Sequence, residues 1–217
     1  MSLSYQSLNN NRLLIFDFDG VLADSFNCFY PMNKDAMASI GILLSEEEYR
    51  NLFLENIHQS FKDLISNNEK YIKYSEYRKN HYLDYYKPKI FPDTKNFLET
   101  IKNKFKLTIA SSGKREVVLN TLSINKVQDF FDFILATNEY SKENMIQEIL
   151  DHFKTNSKEA TMITDTVGDI KIAKKIGVKT IAVTWGFHSI NLLQQANPDV
   201  IVRDFKELAS VLNYGDN

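Results

Sequence analysis

Two aspartates close the apolar run Leu13-Leu14-Ile15-Phe16, in the order Asp17-Phe18-Asp19-Gly20-Val21. Further along, Ser111-Ser112-Gly113 follows a second apolar run, Lys142 opens a helical stretch, and Asp165 and Asp169 lie in Thr164-Asp165-Thr166-Val167-Gly168-Asp169. These are residue types that phosphate chemistry uses. Gathered at one site the carboxylates would repel, since two unit charges ~4 Å apart cost roughly 4 kcal/mol at an effective dielectric of about 20. A dianionic phosphate could not join them unassisted. A hard divalent cation relieves the repulsion, and Mg²⁺ suits a few carboxylates completed by water and substrate phosphate. Lys142 adds a fixed positive charge, while the Ser111 hydroxyl and the backbone N–H groups around Ser112 and Gly113 can hold phosphate oxygens.

Taken singly, each of these residues has a plainer reading. Asp and Gly are common in turns, Ser111 can cap the helix after it, a lysine such as Lys142 is usually exposed, and Asp165 and Asp169 can complement a helix N-terminus. Their order at successive strand ends is what asks for a joint explanation. Leu13–Phe16 reads as a strand covered on both faces, hence as part of a parallel sheet. From residue 93 onward, helical stretches near 93–103, 114–123, 142–153, 167–177 and 204–213 alternate with short apolar runs near 107–110, 131–136, 160–164, 179–184 and 200–202. That rhythm predicts an α/β fold with a doubly wound, Rossmann-like parallel sheet. The carboxyl ends of parallel strands share one edge, so residues far apart in sequence can converge there.

Between the first strand and Leu107-Thr108-Ile109-Ala110 runs far more chain than the ~12 residues a simple crossover needs. The stretch from Asp24 to Lys87 has one Gly and one Pro, and its apolar and aromatic residues recur at helical spacing, as in Tyr71, Tyr74, Tyr77, Tyr82 and Tyr85. We read 24–87 as an inserted α-helical cap, its tyrosine stripe as a packing face, and 1–23 with 88–217 as the core; Pro88 and Pro92 mark the return. Within the cap, Arg50, Asn56, His58 and Lys62 are the positions expected to be able to face the site, against the plainer reading of a solvated helix surface.

Composition narrows the classes. A net charge of −2 gives no general attraction to nucleic acid or to an anionic membrane. The lysine groups at 102, 104, 106 and at 171, 174, 175 read as solvated faces, because no aromatic stripe interleaves them. The single cysteine, Cys28, precludes an internal disulfide and suits a reducing compartment. His58, His81, His152 and His188 are too scattered for a zinc motif. No apolar run approaches membrane-spanning length, and the expected location is cytoplasmic.

The ordered set Asp17-Phe18-Asp19-Gly20-Val21, Ser111, Lys142, and Asp165 with Asp169 resembles the four motifs of the haloacid dehalogenase superfamily of phosphohydrolases, and the resemblance covers nearly the whole chain. The insertion is similar to the helical cap of members such as the phosphoglycolate phosphatases and β-phosphoglucomutases. Val183-Thr184-Trp185-Gly186-Phe187, followed by Pro198-Asp199-Val200, looks like the C-terminal part of the phosphoglycolate phosphatase branch. Thr164 departs from the pattern, standing where many relatives carry Gly.

The resemblance implies a phosphatase acting on a small phosphorylated metabolite. Asp17 would be the nucleophile that forms an aspartyl-phosphate, and Asp19 the general acid and then base. Mg²⁺ would be held by the Asp17 and Asp165 carboxylates and the Asp19 carbonyl, with Asp169 in support. Phosphate would be held at Phe18, Asp19, Ser111, Ser112, Gly113 and Lys142. A sugar-phosphate mutase on the same core is the alternative. A haloalkanoate dehalogenase would need no acid at Asp19. From another class, a phosphate-accepting signalling receiver domain shares the acidic pocket and lysine, but places its phosphorylated aspartate later in the sheet and lacks the helical insertion.

Overall fold

A computed structural model describes residues 12–213. In chain order the first elements are β1 (Leu13–Phe16), β2 (Ala23–Asp24), α1 (Phe26–Ala38), α2 (Glu46–Asn51), α3 (Ile57–Ile65), α4 (Asn68–Tyr85) and β3 (Lys89–Ile90). They are followed by α5 (Thr94–Ile101), β4 (Lys106–Ser111), α6 (Arg115–Ile124), β5 (Phe133–Ala136), α7 (Lys142–Phe153), β6 (Ala160–Thr164), α8 (Val167–Ile176), β7 (Lys179–Val183), α9 (Ile190–Gln195), β8 (Val200–Val202) and α10 (Phe205–Asn213).

The main sheet has six strands in the order β5-β4-β1-β6-β7-β8, every neighbouring pair parallel. This is the doubly wound α/β arrangement that the sequence predicts. Successive residues of β1 serve opposite faces, as the two-residue period of a strand requires. Leu14 and Phe16 pack with Phe97 and Leu98 of α5, Val118 of α6 and Leu208 of α10. Leu13 and Ile15 pack with Met145, Ile146 and Ile149 of α7 and Ala173 of α8. All four β1 residues are buried, which is why the strand reads as unbroken apolar sequence. Strand order reverses between β1 and β6, which opens a crevice at the carboxyl ends of those two strands.

The helices α1 to α4 have an apolar cluster of their own, including Met37, Tyr49, Phe61, Ile65 and Tyr74. Side-chain caps define the starts of three of them: Ser45 and Glu48 form a reciprocal capping box on α2, and Asn56 and Asn67 cap α3 and α4. Buried Asn33 ties three of them together. Its Nδ2 lies 3.3 Å from the Tyr49 hydroxyl and donates to the Phe29 carbonyl at 2.7 Å, and its Oδ1 accepts from the Tyr74 hydroxyl at 2.6 Å. A buried amide so satisfied fixes one helix arrangement, because any other would leave it unpaired.

Two kinds of link join these helices to the sheet region. At the base, β2 and β3 form a short antiparallel pair, with Ala23 opposite Ile90. On the far side, the start of α8 meets backbone: a Cβ on Gly168 would lie 2.8 Å from the Glu55 carbonyl oxygen, so only glycine allows this approach. The loop after β7 adds His188, whose Nδ1 accepts from the Val167 N–H at 3.0 Å; its Nε2 therefore carries the hydrogen and donates to the Arg50 carbonyl at 2.9 Å.

Neither α9 nor the β2–β3 pair has a counterpart among the sequence expectations. The helix is six residues long with no side-chain cap, and a two-residue pairing between positions 23 and 90 leaves no local pattern. The predicted run at 131–136 also shortens, since a 3-10 turn at Gln128–Phe130 precedes β5. Of the tyrosine stripe, Tyr74 and Tyr82 are buried while Tyr71, Tyr77 and Tyr85 are only half-buried.

Candidate active site

Asp17 continues the β1 ladder by one residue, its N–H donating to the Ile163 carbonyl of β6 at 2.9 Å. The chain then turns tightly: Leu22 and Ala23 N–H both donate to the Phe18 carbonyl, and Gly20 N–H to the Ala23 carbonyl. Gly20 has φ +76°, and a Cβ there would stand 2.0 Å from Asp165 Oδ2. The glycine after the acidic pair is thus demanded twice, by backbone and by space. This turn aims Asp17 and Asp19 at the same crevice.

Lys142, the first residue of α7, projects beneath them. Its Nζ lies 3.0 Å from Asp17 Oδ1, 3.1 Å from Asp169 Oδ2 and 2.9 Å from the Ala110 carbonyl. Three acceptors match the three donors of an ammonium. Burial would lower the proton affinity of Lys142, but the Asp169 and Asp17 carboxylates outweigh it and hold the ammonium above its usual range. Asp169 is placed by the first turn of α8, whose cap Thr166 accepts from the Asp169 N–H at 3.4 Å.

Asp19 is held on both oxygens. Oδ1 accepts from the Tyr86 hydroxyl, and Oδ2 lies 3.4 Å from Ser111 Oγ, which itself accepts from the Gly113 N–H at 3.0 Å. Burial raises the Asp19 carboxyl above the ordinary range, with the Tyr86 hydrogen bond opposing it. That favours the protonated form a general acid must start from. Burial likewise keeps Tyr86 neutral, a state reinforced by the Asp19 charge, so its hydroxyl stays a donor.

Asp165 ends β6 and is fully buried. One oxygen, Oδ2, accepts from the Phe187 N–H at 2.7 Å, while Oδ1 is buried with no hydrogen-bond partner. Burial pushes this carboxyl up to about 7 and Asp17 well above the carboxylate range, with Lys142 opposing the rise at Asp17. An orphaned buried oxygen and two desolvated carboxylates on neighbouring strands are relieved by a cation. Among the described residues no three His, Cys, Asp or Glu side chains form a ready-made cage. Mg²⁺ does not need one, because it binds through one or two carboxylates and keeps several waters or phosphate oxygens. The residues present fit that ion.

A cavity of about 410 Å³ lies between this edge of the sheet and the helices α1 to α4. Asp17, Asp19, Ser112, Gly113, Lys142 and Asp169 line its floor. Ser111, Phe18 and Asp165 lie just beneath, buried, with Phe18 N–H donating to Asp17 Oδ1 at 2.8 Å.

Of the four positions singled out in the helical insertion, Asn56 and His58 line the opposite wall. The Asn56 side chain is engaged as the cap of α3, accepting from the N–H of His58 and Gln59. Burial, then the Arg78 and Lys62 charges, holds the His58 imidazole below its usual range. Arg50 and Lys62 are not brought to the cavity, which corrects the expectation for both. Arg50 packs its guanidinium 3.7 Å from the Phe26 ring centre, pairs with Glu46 and donates to the Phe187 carbonyl; Lys62 is exposed, 5.9 Å from the Tyr71 ring centre.

In their place the wall carries Arg78, Lys79 and Tyr82, with Lys114 reaching the Tyr82 ring from the start of α6, and the hydroxyl of Tyr86 reaches Asp19. The missed signal is a spacing. Tyr74, Arg78, Tyr82 and Tyr86 recur every fourth residue, a single helical face in which a cation interrupts the tyrosines.

Comparison with known proteins agrees with this geometry. The model of the haloacid dehalogenase-like hydrolases matches residues 14–183. A phosphoglycolate phosphatase of Aquifex aeolicus is 27% identical over 83% of this chain and 88% of its own. The pyrophosphatase PpaX of Halalkalibacterium halodurans is 24% identical over 94% of this chain and 91% of its own. A hydrolase of the haloacid dehalogenase-like family from Streptococcus pneumoniae superposes with a TM-score of 0.77 over 94% of this chain and 99% of its own, at 23% identity. The chain belongs to the haloacid dehalogenase-like hydrolases.

Proposed function

We propose that this hydrolase is an Mg²⁺-dependent phosphatase acting on a small phosphorylated metabolite in the cytoplasm. The carrying observation is the floor of the cavity, where Lys142 bridges Asp17 and Asp169 at 3.0 and 3.1 Å beside an Asp19 held for proton transfer. In this reading residues 24–87 form a cap over a core of 1–23 and 88–217. The names of the phosphoglycolate phosphatase and pyrophosphatase relatives support a phosphate ester or anhydride as substrate.

Asp17 attacks phosphorus through a carboxylate oxygen. As that bond forms, the bond from phosphorus to the leaving oxygen breaks, and Asp19 gives its proton to that oxygen. Asp19, now a carboxylate, takes a proton from water, whose oxygen attacks the aspartyl-phosphate and frees inorganic phosphate and Asp17. The Lys142 ammonium and the Ser111 hydroxyl, with backbone N–H groups at Phe18, Asp19, Ser112 and Gly113, hold the transferring group in line. Mg²⁺ held by the Asp17 and Asp165 carboxylates and the Asp19 carbonyl, with Asp169 beside them, would neutralise charge on the phosphoryl oxygens.

The test is turnover of a panel of phosphate esters and pyrophosphate by purified protein with Mg²⁺ and with excess chelator. Turnover of at least one ester that chelation abolishes is the expected result; undiminished turnover under chelation removes the metal from the reading.

A further inference from the structure

The cap wall of the cavity carries positive charge that no carboxylate among the described residues meets. Arg78 lies with its guanidinium carbon 5.4 Å from the Tyr74 ring centre and 5.7 Å from that of Phe61. Its Nε is buried without a hydrogen-bond partner, and among the described residues no carboxylate forms an ion pair with it. The acids that line the cavity are already engaged: Asp17 and Asp169 with Lys142, Asp19 with Tyr86, and Glu55 with Lys171. Lys79 lines the same wall, and Lys114 Nζ lies 4.4 Å from the Tyr82 ring centre.

Aromatic faces offset part of the cost of holding a cation out of water, but a partly buried guanidinium left unpaired is normally relieved by an anion. Among the described residues none is supplied. Phe29, Tyr49, Phe53 and Phe61 line the same cavity of about 410 Å³, which admits a small ligand.

We infer that Arg78 is a specificity-determining residue that selects substrates whose leaving group carries its own anion, a carboxylate or a second phosphate, opposite the phosphoryl group being transferred. The planar fork of arginine pairs with either anion through two hydrogen bonds, which a lysine cannot reproduce. This inference rests on the phosphatase reading for which end of the ligand is cleaved, but its binding component does not.

Binding is therefore measured apart from turnover, by titration calorimetry on the full chain carrying Asp17→Asn, with Mg²⁺ present. Phosphoglycolate and pyrophosphate are compared with 2-hydroxyethyl phosphate, which has a neutral leaving group. At least one of the two doubly anionic ligands is expected to bind about 30-fold more tightly than the neutral-ended ester, as hydrogen bonds to charged groups allow. Whichever of them holds that lead identifies the anion as carboxylate or phosphate.

Adding Arg78→Gln should shrink the preference to within about threefold, and Arg78→Lys, which keeps the charge but loses the fork, should leave an intermediate preference of about tenfold. Equal or absent binding of the three ligands by Asp17→Asn overturns the inference without any change at Arg78. A preference that survives Arg78→Gln overturns it as well. Failure of the unaltered enzyme to turn over any of the three ligands, with the binding preference intact, would instead remove the phosphatase reading alone.

Discussion

On the floor of the cavity, Lys142 meets three oxygens within 3.1 Å; on the wall facing it, Arg78 meets two aromatic rings and, among the described residues, no carboxylate. The floor is assembled from the ends of β1, β4 and β6 and the starts of α7 and α8, elements buried by the sheet on both faces. The wall comes from α1 to α4 and the turn before α3, whose packing depends on tyrosines and one buried asparagine. A floor whose Lys142 already bridges Asp17 and Asp169 can hold its geometry before substrate arrives, which is what catalysis by positioning and charge neutralisation needs. A wall with an unsatisfied cation is suited to choosing among substrates. The division predicts that damage to the floor abolishes chemistry, while damage to the wall redistributes preference.

The largest effect is expected at the floor. Asp17→Asn keeps the shape of the side chain and removes the proposed nucleophile, so turnover should fall by about 10⁴-fold or more. The fold should survive, because Asn can still accept from Lys142 and from the Phe18 N–H. Steady-state turnover with circular dichroism on the same sample checks both. Retained activity would place the nucleophile elsewhere and dissolve the distinction between floor and wall.

Tyr86 sits where the two regions meet, at the end of α4 with its hydroxyl on Asp19. Tyr86→Phe should lower kcat about tenfold, in line with loss of one hydrogen bond to a charged group. The sign of the accompanying pH shift follows from the chemistry. The hydroxyl favours ionised Asp19 and so opposes the upward push of burial. Without it the carboxyl rises further and stays protonated to higher pH. The limb of the kcat profile that reports loss of the acid form should therefore move upward. A fall in kcat with an unmoved limb would make Tyr86 a packing residue only.

The same contrast explains what could be read from the sequence. Asp17, Asp19, Ser111, Lys142, Asp165 and Asp169 announce themselves because each ends a strand or opens a helix, and the parallel sheet makes strand ends adjacent without further information. Which helical residues of the insertion face the cavity depends on how four helices are rotated against one another. That is decided by contacts such as Asn33 with Tyr49 and Tyr74, which join positions distant in sequence. Position in the chain therefore singled out Arg50 and Lys62, which do not line the cavity, and passed over Arg78 and Tyr86. The lone cation among tyrosines at every fourth position was the available clue. A Tyr or Arg in that stripe looks like packing until the neighbouring helices are in place.

Lys62 offers the smallest effect and the sharpest control on the wall. It carries the same charge as Arg78 and belongs to the neighbouring helix α3, but it is solvent-exposed and does not line the cavity. Its amine lies 5.9 Å from the Tyr71 ring centre, and an exposed contact of that kind contributes at most about 1 kcal/mol. Lys62→Ala should therefore change stability by less than about 1 kcal/mol in denaturant unfolding. It should shift kcat/KM for any ester less than about threefold, since a screened surface charge acts weakly over the distance to the floor. If removing Lys62 altered the preference among esters as strongly as removing Arg78, net positive charge on the cap would be setting specificity. Placement of one guanidinium among rings would then carry no special weight.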